Sequence, residues 1–209
     1  MRTLKVSGIG KVNAFPDLVS IDLEINEESK TYDKCIEKMN ERVHYLYEDI
    51  TKAGFQKNEL KTLDLKIESL YDREKTVQVL KGYSAKTKLY IEFDFCKERL
   101  KEVLLILTAS KGYPVFKIEF KVKDKEAFKD RALESAVSDS KKKAEIISKS
   151  SGVNLGEIVD INYSTEETRY SSRTDVYYSI GHSFKSDSYE IEPTQIIRTD
   201  TITVLWEIK

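Results

Sequence analysis

Strict apolar–polar alternation in about seven short stretches, apolar stripes at helical spacing in three gaps between them, and no long continuous apolar run predict an α+β fold. The expected architecture is a two-layer sandwich: a mainly antiparallel sheet of about seven strands with three helices on one face, in a single domain spanning residues 1–209. Parallel strands buried on both faces would read as unbroken apolar runs, and these do not.

The strands come first. Across residues 17–26, Val19, Ile21, Leu23 and Ile25 are apolar, while Ser20, Asp22, Glu24 and Asn26 between them are polar. Side chains alternate across a strand, so this pattern buries one face. The same alternation places Leu63, Leu65 and Ile67 on one face, and likewise Tyr83, Ala85, Leu89, Ile91 and Phe93, then Phe116, Ile118, Phe120 and Val122. Ile202, Val204, Trp206 and Ile208 mark a C-terminal strand, and shorter patterns lie at residues 4–8 and 158–163.

Helices fill the gaps. Ile36, Met39, Val43, Leu46, Ile50 and Ala53 form a stripe stopped by Gly54, and Leu100, Val103, Leu104 and Leu107 form a second, ended by Gly112 and Pro114. The third runs from residue 125 to 151 with Phe128, Ala132, Ala136, Ala144 and Ile147 on one face. Asp124 is its expected N-cap and Gly152 its terminator. Residues 17–122 thus repeat a strand-helix-strand unit, the βαββαβ order, with a turn expected at residues 71–74. Residues 164–190 keep no period and are rich in serine and tyrosine, so they read as a long loop.

Charge narrows the function. Thirty-five basic and 36 acidic residues leave a net charge of −1, which provides no field to gather nucleic acid or an anionic membrane. Two cysteines, Cys35 and Cys96, are too few for a secreted disulfide scaffold and are expected to be reduced, unlinked and mostly buried. The first residues pass directly into an alternating pattern without an apolar leader, so the chain as given is expected to be cytoplasmic.

A set of short motifs resembles the SIMPL domain family. Val6-Ser7-Gly8-Ile9-Gly10 followed by Pro16-Asp17 is similar to its opening. Gly54-Phe55, Leu60-Lys61-Thr62, Gly82-Tyr83-Ser84-Ala85, the Ala132/Ala136 helix ending in Lys143-Ala144-Glu145, Leu155-Gly156 and the strand through Trp206 follow in the family's order. Pro193-Thr194 stands where the family usually has Pro-Gly. The resemblance implies no agreed catalytic residue or cofactor. It does imply self-association, since some members form large rings.

No motif supports a catalytic, cofactor-binding or metal-ligating set. Gly8-x-Gly10 lacks the following helix of a dinucleotide site and reads as a bend between strands, the glycines supplying backbone freedom. Cys35, Cys96, His44 and His182 show no ligand-pair spacing. Asp22, Glu24, Asp64 and Glu68 are expected to interleave with Lys66, Lys86 and Lys88 as cross-strand ion pairs, and Lys141–Lys143 with Lys149 to form a solvated helix face. The tyrosines Tyr170, Tyr177, Tyr178 and Tyr189 are the candidate oligomer interface, because tyrosine brings large contact area at low entropic cost. The expected role is non-enzymatic self-association, with no cofactor, no nucleic acid and no membrane span. The alternative is a small-ligand module, or a hydrolase, with a pocket beneath residues 164–190.

Overall fold

The computed structural model describes residues 2–74, 77–163, 176–178 and 191–209. Eight strands and three helices follow in the order β1 (Arg2–Ala14), β2 (Leu18–Ser29), α1 (Tyr32–Lys52), β3 (Lys61–Glu74), β4 (Val77–Asp94), α2 (Lys97–Ala109), β5 (Val115–Lys121), α3 (Lys125–Ser150), β6 (Leu155–Asn162), β7 (Val176–Tyr178) and β8 (Ile196–Ile208). The class is α+β, and among the described residues every strand pairing is antiparallel. The strands are distributed over two sheets, and the chain forms two compact units.

The first unit comprises the described parts of residues 1–16, 122–173 and 193–209. Its sheet runs β1-β8-β6, with α3 packed on it. The helix presents Phe128, Ala132, Ala136, Ser140, Ala144 and Ser148 inward, a file at i, i+4 spacing made mostly of small residues. Ile147, expected in that stripe, is exposed, because it lies off this file. Small side chains let the helix backbone come close to β1. A Cβ on Gly8 would overlap the Ala136 carbonyl oxygen and lie 2.6 Å from Ser140 Cβ, and one on Gly10 would overlap the Ala132 carbonyl. Neither glycine holds a positive φ, and both lie within β1. The glycines therefore serve helix–strand approach, not the bend expected from sequence.

The second unit comprises residues 17–121 and the described part of 174–192. Its sheet order is β3-β4-β2-β5-β7. Without β7 this is the split βαβ arrangement that the βαββαβ order implies. Val19, Ile21, Leu23 and Ile25 of β2, Ala85, Leu89 and Ile91 of β4, and Phe116, Ile118 and Phe120 of β5 are buried with Met39, Leu46 and Ile50 of α1 and Leu100, Val103, Leu104 and Leu107 of α2. Cys35 belongs to this core too, its thiol donating to the carbonyls of Glu27 and Tyr83 at 3.4 Å.

Helix ends follow the expected signals. Asp124 accepts from the Ala127 amide at 2.9 Å, capping α3. Gly54 and Gly152 adopt φ of 81° and 69° just past α1 and α3. The amides of Phe55 and Val153 reach back to the carbonyls of Ile50 and Ser148 at 3.2 and 3.0 Å, closing Schellman motifs. Gly112-Tyr113 is a different device: Tyr113 itself takes the left-handed conformation, φ 44°. Arg42 of α1 holds that turn. It donates to the carbonyls of Gly112 (2.9 Å), Tyr113 (3.0 Å) and Asn26 (2.6 Å), and to Glu27 (3.0 Å).

Candidate association surface

The four tyrosines proposed as an interface divide. Tyr170 and Tyr189 lie outside the described residues, as does the pocket envisaged beneath residues 164–190. Tyr177 and Tyr178 fall in β7, whose backbone pairs with β5 in the register Tyr177↔Lys117 and Tyr178↔Phe116. A piece of the segment read as a loop is therefore a strand, the last of the second unit's sheet among the described residues.

Sheet order decides which strands are left at the edges. The C-terminal strand β8 is central, paired with β1 on one side and β6 on the other. The outer strands of the first unit are β1 and β6. The first is guarded by α3: Asp139 accepts the Ile9 amide at 2.8 Å, and Lys143, paired with Asp139 at 2.7 Å, reaches the Ser7 carbonyl at 3.4 Å. These contacts hold the Asp139 carboxyl below its usual pKa, through the Lys143 hydrogen bond first and the Ile9 amide second. Among the described residues β6 has little such protection. Ile158 and Ile161 stand opposite Trp206 and Val204, whose side chains α3 covers, yet both isoleucines are exposed.

In the second unit the outer strand β3 departs most from its sequence pattern. Leu63 and Leu65, expected to be buried, are 61% and 58% exposed. Two physical causes apply. A bulge between Thr62 and Asp64 breaks the alternation: Thr62 faces Leu89, Asp64 faces Lys88, and Leu63 is the extra residue between. Beyond the bulge, Leu65 faces Thr87 and Ile67 faces Ala85, on the helix side of the sheet. Ile67 still packs against the core, while Leu65, on this outermost strand, is left exposed. Past Ser29↔Tyr83, β2 stops pairing, and β3 and β4 continue alone as a two-stranded ribbon through Glu74↔Val77. The expected turn at residues 71–74 is thus strand. Tyr71, Val79 and Leu80 on this ribbon are exposed.

The face of this sheet away from its helices is ionic, but of the cross-strand pairs expected only Lys86–Glu24 is seen among the described residues, while Lys66 pairs with Glu68 along its own strand. Lys86 pairs with Glu24 at 2.6 Å, Lys66 with Glu68 at 2.6 Å, Lys117 with Glu119 at 2.9 Å, and Lys121 with Glu92 at 2.9 Å. Asp22 sits among them, its carboxyl pushed above its ordinary pKa by burial and then by the neighbouring Glu119.

The remaining candidates stay apart. Cys35 and Cys96 are unlinked, but Cys96 is exposed, because it occupies the N-cap of α2 and its thiol donates to Glu98 at 2.9 Å. His44 lies on the outer face of α1, 3.2 Å from Glu48, and His182 lies outside the described residues. Among the described residues no group of three or more His, Cys, Asp or Glu is placed to hold a metal ion. Two hollows, along Asp33, Glu37, Asn40 and His44 and beside Gln56, Asn58 and Tyr90, are wide open to solvent. Among the described residues no helix is long and apolar enough to cross a membrane.

Sequence reasoning missed Arg198 and Asp200 on β8. They form a two-pronged ion pair, at 3.1 and 3.2 Å, among the inward-facing residues of that strand. The signal was present as a break in the apolar file between Ile196 and Ile202.

Comparison with known proteins gives one family. The profile of SIMPL, described as "Protein of unknown function (DUF541)", matches residues 4–206. The uncharacterized protein YggE of Edwardsiella ictaluri is 20% identical over 195 residues, 93% of this chain and 81% of that one. The 26 kDa periplasmic immunogenic proteins of Brucella melitensis and Brucella abortus are each 25% identical over 167 residues, covering 76% of this chain and 65% of theirs. The Brucella relatives are named as periplasmic proteins, which gives the cytoplasmic expectation no support.

Proposed function

We propose that this chain, which belongs to the SIMPL family, is a non-enzymatic self-associating module whose copies meet through sheet edges that their own helices leave uncovered. The observation that carries this reading is β3, a 14-residue outer strand with two leucines more than half exposed. Outer strands offer unpaired backbone donors and acceptors to any other strand, and sequences usually blunt them. In the first unit α3 guards β1, while β6 keeps exposed isoleucines. A near-zero net charge favours a protein partner over a nucleic acid.

Sedimentation velocity with light scattering tests the reading. The expected result is a mass several times 24.2 kDa at micromolar concentration. A chain that stays monomeric at high micromolar concentration defeats it. The tyrosine-bearing segment enters as a second contributor: deleting residues 171–188 is expected to lower the oligomeric state while circular dichroism retains the α+β signature.

A further inference from the structure

We infer that β3 pairs antiparallel with β3 of a second copy about a twofold axis at Leu65, joining two five-stranded sheets into one. This deepens the self-association reading and rests on it. Asp64, Lys66 and Glu68 alternate in sign along the exposed strand. Such charges normally keep an edge apart from other strands. Against its own copy they do so only in some registers. Keeping the helices of both copies on the same side of the joint sheet requires the axis to pass through a residue.

An axis at Asp64 or at Lys66 sets that residue against itself, and like charges directly opposite repel. An axis at Leu65 sets Asp64 against Lys66 twice, by symmetry, and Leu65 against Leu65 on the other face. An axis at Ile67 also matches charges, Lys66 with Glu68. It places Leu65 against Ser69 and Asp64 against Leu70, leaving the exposed leucine and the carboxylate with poor partners. The Leu65 register alone matches charge and covers the leucine that α1 and α2 leave bare. A twofold contact of this kind is self-complementary and closes. Ten strands in one sheet is within the ordinary range, roughly 2–10.

The register is tested by charge exchange and by cross-linking on the full chain. D64K sets lysine against Lys66 at both symmetric positions, and the dissociation constant of the contact is expected to rise about tenfold or more. The exchanged chain D64K/K66D restores opposite charges in the same register and is expected to return it to the wild-type value. Independently, L65C in a Cys96→Ser background is expected to give a covalent dimer under mild oxidation. Directly opposed Cα atoms stand roughly 4.5–5.5 Å apart, within disulfide reach. S69C in the same background is expected to give none. If the wild type associates but D64K is silent and L65C stays uncoupled, the β3 pairing is wrong and self-association stands through another edge. If the wild type is monomeric, both fall together.

Discussion

Gly10 of β1 lies directly beneath the carbonyl of Ala132 in α3, so close that a β-carbon on the glycine would overlap that oxygen. Gly8 repeats the relationship with Ala136, one helical turn along. The Gly-x-Gly strand and the alanine-rich helix are therefore two halves of one contact: residues two apart on a strand meet residues four apart on a helix.

Any side chain at these glycines must push the helix off the sheet. Gly10→Ala is expected to destabilise the protein by about 1–3 kcal/mol or more, the scale of overpacking in a tight core. Ala136→Phe acts from the other side of the same contact and is expected to cost a similar amount. Urea denaturation read by circular dichroism checks both, and an unchanged midpoint for either contradicts this packing.

Arg198 and Asp200 are a buried ion pair, 9% and 5% exposed at their side chains. Asp200→Ala leaves the guanidinium without this carboxylate and is expected to cost about 3–5 kcal/mol. Replacing both residues by apolar ones of similar size is expected to restore much of the loss, because two charges no longer need to leave water. Chemical denaturation of the single and double variants separates these outcomes; equal losses would show that the pair itself is net stabilising.

The Arg42 clamp is built from the fork of the guanidinium, which reaches three carbonyls and one carboxylate. Lysine keeps the charge and loses the fork. Arg42→Lys is therefore expected to destabilise by about 1.5–3 kcal/mol, the range for hydrogen bonds to charged groups. Amide exchange near Gly112 and Tyr113 should rise more than exchange in α3.

Asp22 makes stability depend on pH. Its folded pKa lies above the unfolded value of 3.8, raised by burial first and by Glu119 next. Between those two values the folded state binds more protons than the unfolded one. Stability from this group therefore falls as pH rises through that window, and the penalty is complete above the folded pKa. Asp22→Asn is expected to be more stable than wild type at neutral pH, the gain shrinking as pH drops toward 3.8. Thermal melts of both proteins at acid and neutral pH would expose an error of sign.

The sequence by itself determined the α+β class, the three helices and their ends, and the buried faces of β2, β4 and β5. These are local matters. Alternation, helical stripes, an Asp before a helix and a Gly after it act within a few residues, so reading along the chain recovers them. The tertiary structure alone decided which strands lie at edges. Leu65 alternates as cleanly as Ile21, yet one is exposed and the other buried, because β2 is central and β3 lies outermost. The strongly apolar β8 is internal for the same reason, pairing with β1 from the N-terminus on one side and β6 on the other. The bulge at Leu63 left no mark in the alternation. Gly8 and Gly10 were legible as glycines but not by purpose, since the helix they admit is more than a hundred residues away. Strand neighbours are chosen by burial summed over the whole chain, and no window of sequence contains that sum.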